Sequence, residues 1–111
     1  MRLVDPTIRQ QQAAGDYRGS VEPLRELLAT RVDDAETNYR YGLALMLTQR
    51  SNLAVWSFRK AMKDPEWFVL AGSKLAHSAL EAADFNEVVE ITTGILEREP
   101  ENLLALLMRA N

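Results

Sequence analysis

The sequence predicts an all-α fold in which antiparallel helix pairs stack side by side. Small and apolar residues recur at an interval of 34 residues along the chain. Within each interval the apolar residues follow the spacing i, i+4, i+7, i+8, which places them on one buried face of an α-helix. Aspartate and proline signals at the block boundaries divide the chain into helices of moderate length.

The interval is clearest in a column of small residues, Gly42, Ala76 and Ala110. Small side chains at one position of every block are what close packing between paired helices requires. Large apolar residues repeat at the same interval, among them Leu28, Met62 and Leu96.

Local signals place the helix boundaries. Proline follows aspartate at Asp5-Pro6 and Asp64-Pro65, a pair typical of a first helical turn. Capping boxes are predicted at Asp33 with Glu36 and at Asp84 with Glu87, and Ser20 is predicted to cap a helix that holds Pro23 in its first turn. The predicted helices lie near residues 6–14, 20–31, 34–48, 52–63, 66–82, 85–98 and 101–110.

The repeat also sets the domain organisation. A chain of 111 residues with 47% hydrophobic content is predicted to form one domain. Its blocks are a divergent first repeat at 1–34, a second at 35–68, a third at 69–102, and the first helix of a partial fourth at 103–111. We therefore expect the chain to be part of a longer protein.

Composition excludes several functions. A formal net charge of −3 argues against a phosphate-binding surface for nucleic acid, and no apolar stretch is long enough for membrane insertion. The chain has no cysteine, so it has no thiolate ligand, thiol nucleophile or disulfide, and the sequence leaves the compartment open.

The block at 35–68 carries a recognisable motif. It contains Asn38-x-x-Tyr41-Gly42-x-x-Leu45, then Ala54-x-x-x-Phe58, Ala61 and Pro65. This block resembles the tetratricopeptide repeat, and the third block is similar to it through Ala76, Phe85, Ile95, Leu96 and Pro100. The resemblance implies a right-handed superhelical stack with a concave groove, used as a scaffold for protein–protein interaction.

The resemblance also implies which residues face the groove. Arg9, Arg40 and Lys74 would place three cations near Tyr39, a combination suited to the carboxylates of an acidic or C-terminal peptide. The alternative is that these are solvated charges on an exposed helix face, offset by the nearby carboxylates of Asp5, Glu36 and Glu81. The full set of predicted groove residues is Arg9, Tyr39, Arg40, Leu43, Met46, Lys74, His77 and Leu80.

The sequence assigns no catalytic residue, metal site or cofactor. His77 is the only histidine and lacks a second ligand at HxxxH spacing. Carboxylate pairs such as Asp33-Asp34 fall at predicted turns, where capping explains them. We therefore expect a binding protein and not an enzyme.

The last helix is predicted to be unusually apolar for the end of a repeat array. One explanation is a continuing fourth repeat, and another is a homodimer in which copies cover each other's last helix. The residues predicted at such a contact are Leu103, Leu104, Leu107 and Met108. Two functional alternatives follow: a self-assembly module, or a recruiting arm of a larger enzyme.

Overall fold

The computed structural model describes residues 4–48 and 50–110, and this part of the chain forms helices and no strands. The predicted all-α class and the seven predicted helices are confirmed for these residues. The helices are α1 (Pro6–Ala13), α2 (Tyr17–Thr30), α3 (Ala35–Leu47), α4 (Ser51–Ala61), α5 (Phe68–Glu81), α6 (Phe85–Arg98) and α7 (Leu103–Arg109).

The helices pack mainly in chain order. Each even-numbered helix lies against the odd-numbered helices before and after it, and α5 also contacts α7. Side-chain hydrogen bonds from Arg9 to Glu36 and from Gln12 to the Arg40 carbonyl advance together along α1 and α3, so these two helices run in the same direction. The radius of gyration is 14.0 Å, close to the roughly 13 Å expected of a compact domain of this length.

The 34-residue interval reappears in the backbone of the turns within each helix pair. The amide of Asp16 donates to the carbonyl of Gln11 at 2.7 Å, that of Arg50 to Leu45 at 2.8 Å, and that of Asp84 to Ala79 at 2.8 Å. These i→i−5 hydrogen bonds satisfy carbonyls that the ends of α1, α3 and α5 leave unpaired. Both donors and acceptors therefore follow the sequence repeat.

In the described part of the chain, left-handed residues occur in the turns before Asp16 and Asp84. Gly15 has φ 86° and Ala83 has φ 58°, and each directly precedes the aspartate that donates the turn bond. Glycine adopts this conformation without steric cost, whereas alanine does not. The turn geometry is thus kept in the third block despite a less suitable residue.

The start of α2 differs from the prediction. Asp16 is its N-cap, because the Asp16 carboxylate accepts a hydrogen bond from the amide of Gly19 at 3.0 Å. The helix therefore begins at Tyr17, and Pro23 lies inside it instead of in its first turn. The Ser20 hydroxyl donates to the carbonyl of Tyr17 and does not cap the helix.

Other boundaries also correct the predictions. Asp34, and not Asp33, caps α3, by accepting from both the amide and the hydroxyl of Thr37. The predicted cap at Asp84 is confirmed by the amide of Glu87, which donates to Asp84 at 3.3 Å. At the other end of the chain, α7 begins at Leu103 because Asn102 caps it; α5 begins at Phe68, since residues 64–67 form a turn.

The core consists of two clusters that meet at α3. The smaller joins Val4, α1 and α2 to Ala44 of α3, and the larger runs from Leu45 of α3 to α7. Close packing in the larger cluster depends on Gly42, since a Cβ atom there would lie 2.7 Å from the Phe58 ring. Ala76, one interval later, is fully buried, whereas Ala110 is exposed.

Candidate functional site

The predicted groove residues lie on the odd-numbered helices, with Arg9 on α1 and the others on α3 and α5. Leu43, Met46 and Leu80 are partly buried and pack against the larger core cluster. These three side chains therefore contribute to the packing of the core.

Arg9 and Arg40 are joined by one internal carboxylate. Glu36 accepts a hydrogen bond from Arg9 Nη2 at 2.5 Å and another from Arg40 Nε at 2.7 Å. The three side chains are only 18% to 26% exposed. Charge-assisted bonds of this kind fix both guanidinium groups, so much of their charge is already compensated within the chain.

A buried glutamine holds the second arginine in place. Gln12 donates to the carbonyl of Arg40 at 2.9 Å, and Arg40 Nη1 donates back to Gln12 Oε1 at 3.1 Å. The Gln12 side-chain amide also lies 3.2 Å from the Ser20 hydroxyl. Sequence reasoning named Glu36 as a charge that offsets the arginines but missed Gln12; the available signal was a polar residue at position 12, where later blocks carry Met46 and Leu80.

A pocket of about 680 Å³ lies between α3, α5 and the start of α7. Tyr39 and Lys74 are the only predicted groove residues in it. Sequence reasoning missed the apolar wall formed by Val69, Leu70 and Leu104, although Leu70 and Leu104 stand one interval apart. The remaining lining residues are Pro65, Glu66, Ser73, Arg98, Glu99 and Asn102.

The charged side chains of this pocket differ in whether another residue already contacts them. Arg98 lies 3.7 Å over the centre of the Phe68 ring and donates to the Gly94 carbonyl. Glu99 accepts a hydrogen bond from the side chain of Asn102 at 3.0 Å. Among the described residues, nothing pairs with the ammonium group of Lys74, which leaves it available to an anionic ligand group.

Tyr39 forms the α3 side of the pocket. Its ring centre lies 5.3 Å from that of Trp67 and 6.0 Å from that of Phe58, within the range of favourable aromatic contacts. Burial raises the pKa of the Tyr39 hydroxyl above its ordinary value, against a smaller opposing effect of Arg40. The hydroxyl is therefore neutral at physiological pH and can act as a hydrogen-bond donor.

His77 lies apart from the pocket. Its imidazole is more than half exposed, and Nε2 is 3.5 Å from the carboxylate of Glu81 on the same helix. In residues 4–48 and 50–110, no group of three or more histidine, cysteine or acidic side chains is arranged to hold a metal ion. His77 is accordingly a surface residue of α5 and not part of a polar cluster.

The structure corrects one of the residues predicted at the C-terminal self-association contact. Leu103, Leu104 and Leu107 are exposed, as a self-association surface requires, and Leu106 is exposed beside them. Met108, however, is only 5% exposed and packs with Ala105 in the larger core cluster. Met108 therefore stabilises α7 against the preceding helices and is not available to a second copy.

No protein-family model and no curated protein matches this chain. The resemblance to tetratricopeptide repeats, which rests on the residues of the sequence, therefore stays a prediction. Among the described residues, no helix combines the length and the apolar character that crossing a membrane demands.

Proposed function

We propose that the chain is a tetratricopeptide-type repeat module that binds an extended peptide segment of a partner protein. The proposed right-handed stack would bring α3, α5 and α7 to its concave side. The observation that carries the proposal is the pocket between these helices, where the apolar wall of Val69, Leu70 and Leu104 adjoins Lys74, whose ammonium group pairs with none of the described residues. Concave sites with an apolar lining and few polar groups are typical of ligand-binding surfaces.

The chemistry of the lining suggests the kind of peptide. An apolar side chain would bury itself against Leu70 and Leu104, each about half exposed in the free chain. A neighbouring carboxylate, from an acidic residue or a chain terminus, would pair with Lys74. Since Glu36 already holds Arg9 and Arg40, the proposal assigns the anion contact to Lys74 alone.

The apolar contact and the ion pair differ in their expected contribution to the free energy of binding. Burying a leucine side chain contributes about 1.5–3 kcal/mol, whereas an exposed ion pair contributes about 0.2–1 kcal/mol. The apolar wall should therefore set the affinity, and Lys74 should set the preference for acidic peptides. No catalytic role is assigned to any residue of the pocket.

Selection of peptides from a random display library against the whole chain tests this proposal. Selected peptides should share an apolar residue close to a carboxylate. Leu70→Ser should weaken their binding roughly tenfold or more, and Lys74→Ala roughly threefold with a smaller salt dependence. The control is Lys63→Ala, which removes an exposed cation outside this pocket.

The proposal fails if selected peptides bind Leu70→Ser and Lys74→Ala as tightly as the unchanged chain. It also fails if Lys63→Ala weakens binding as much as Lys74→Ala, because the contact would then be general charge attraction. Isothermal titration calorimetry with one selected peptide supplies all four affinities.

A further inference from the structure

Two charged side chains of the pocket between α3, α5 and α7 are left without a partner in the described part of the chain. One is Lys74, and the other is Glu66. The backbone amide of Glu66 donates to Asp64 at 2.9 Å, but no described residue binds the Glu66 carboxylate. The remaining charged residues of the lining, Arg98 and Glu99, are held by neighbouring residues. A ligand in this pocket therefore meets one open carboxylate and one open ammonium group.

These two charges lie on either side of an apolar residue of α5. Glu66 is in the turn directly before α5, Leu70 is in the first turn of the helix, and Lys74 is one turn further on. Residues four apart lie on the same side of a helix, about 6 Å apart along its axis, and all three of these residues line the pocket. The pocket thus presents an anion, an apolar side chain and a cation in this order.

A ligand that carries only acidic groups complements half of this surface. One carboxylate can pair with Lys74, but a second carboxylate on the other side of Leu70 would lie near Glu66, and like charges repel. A basic group in that place would instead pair with Glu66. Full charge complementarity therefore requires a ligand with both signs of charge, separated by an apolar group.

The spacing of these groups matches an extended peptide. Alternate side chains of an extended chain point to the same side and are about 6.6 Å apart. This distance is close to the roughly 6 Å between successive turns of α5. Three alternate side chains of one peptide can therefore reach Glu66, Leu70 and Lys74 together.

We infer that this pocket recognises an extended segment of a partner protein in which a basic, an apolar and an acidic side chain occupy alternate positions. The basic side chain pairs with Glu66, the apolar one packs on Leu70, and the acidic one pairs with Lys74. The inference rests on the proposed function and adds the order and the spacing of the charges. A segment whose basic residue comes first runs parallel to α5, and one whose acidic residue comes first runs antiparallel.

Three synthetic peptides of nine residues test the order of the charges. Each has blocked termini and a central leucine in a background of serine and glycine. Positions −2 and +2 from the leucine carry lysine and glutamate in the mixed peptide, alanine and glutamate in the second, and two glutamates in the diacid peptide. Nuclear magnetic resonance titration of the whole chain, which measures weak affinities, should show that the mixed peptide binds roughly threefold more tightly than the second and roughly tenfold more tightly than the diacid.

Substitutions in the chain assign the peptide lysine to its partner. Glu66→Gln should abolish the preference for lysine over alanine and leave the contribution of the peptide glutamate unchanged. Glu66→Lys should reverse the order, so that the diacid peptide binds most tightly. The matched control is Glu90→Gln, which changes an exposed acid of α6 outside the pocket and should leave all three affinities unchanged.

Two further peptides test the spacing. Moving the lysine and the glutamate to positions −1 and +1 turns them away from the side of the leucine in an extended chain. This peptide should bind no more tightly than one with alanine at −2 and +2. The other is a stapled helical peptide with lysine at −4 and glutamate at +4, which matches the turns of α5 as a helix; it should bind more weakly than the mixed extended peptide.

The possible results separate this inference from the proposed function. If none of these peptides binds, both are wrong. If Leu70→Ser weakens binding but the mixed and diacid peptides bind equally, the proposed function stands and the charge order is wrong. A preference for the mixed peptide that Glu66→Gln leaves unchanged, or tighter binding of the helical peptide, would also overturn the inference.

Discussion

Gly42 shows how one residue sets the distance between two helices. Its Cβ position is 2.7 Å from the Phe58 ring, whereas a Cβ atom at Gly72 would meet Ile91 and Met62 at 3.4 Å. The first distance requires the ring to move, and the second is ordinary contact. Both positions are buried within helices, so they form a matched pair.

We expect Gly42→Ala to lower the free energy of unfolding by about 1–3 kcal/mol because it overpacks the core. Gly72→Ala should leave this free energy unchanged or raise it by up to about 1 kcal/mol, since alanine favours the helix. Urea denaturation of the two variants measures both values. Equal losses in the two variants would contradict the close approach at Gly42.

Ala83 carries a conformation that suits glycine. Its φ of 58° costs an L-residue about 1–2 kcal/mol, whereas Gly15 has the same role without that cost. We expect Ala83→Gly to raise the free energy of unfolding by about 1 kcal/mol and Gly15→Ala to lower it by a similar amount. Thermal unfolding of both variants tests this, and a loss of stability in Ala83→Gly would be inconsistent with a left-handed turn.

Sequence reasoning reached some of these residues and not others. The small-residue column predicted close packing at Gly42 because size is a property of the residue itself. The bonds among Arg9, Glu36 and Arg40 depend on where three long side chains end in space. Aligning the repeats assigns each of these residues to its helix. It does not show which carboxylate binds which guanidinium group.

At the scale of the helix, capping explains both correct and wrong boundaries. The cap of α6 was predictable because Asp84 stands directly before the apolar periodicity. For α2, the hydroxyl of Ser20 and the ring of Pro23 suggested a later start, but Asp16 begins the helix one turn earlier. Pro23 therefore lies in the interior of α2, where it removes one backbone hydrogen bond. The packing of Val21 and Leu24 in the smaller core cluster offsets this loss.

α4 lacks the side-chain N-cap that α2 and α6 have. Its N-cap residue is Arg50, whose side chain accepts no hydrogen bond from the first turn, whereas the carboxylates of Asp16 and Asp84 cap α2 and α6 at the same place in their blocks. Arg50→Asp should therefore raise the free energy of unfolding by about 1 kcal/mol and the melting temperature by about 4 °C. Differential scanning calorimetry measures the change, with Asp84→Ala as the reverse control.

Arg50→Asp also tests whether the turns within the helix pairs are equivalent. An unchanged melting temperature for Arg50→Asp, together with a loss of about 1 kcal/mol for Asp84→Ala, would show that the turn at Arg50 differs from the one at Asp84.

In the whole molecule, two core clusters share one helix. Leu24 belongs to the cluster of α1 and α2, and Ile95 belongs to the larger cluster of α3 to α7. Because the helices contact mainly their neighbours in the chain, a defect in one cluster should open that end first.

We expect Leu24→Ala to remove about 2–5 kcal/mol of local stability. Amide hydrogen exchange should then accelerate in α1 and α2 while α5 and α6 stay protected. Ile95→Ala should accelerate exchange in α5, α6 and α7 instead. Uniform acceleration in both variants would show that the clusters unfold as one unit.

The amides of residues 16, 50 and 84 donate equivalent turn bonds. These bonds limit which changes in chain length the fold can accommodate. An insertion of 34 residues at such a turn adds one even-numbered and one odd-numbered helix, and each later amide still meets its carbonyl five residues back. An insertion of one residue within a helix rotates everything beyond it by about 100° around the helix axis. Viable length variants of this protein should therefore differ by whole blocks, or by residues confined to the turns.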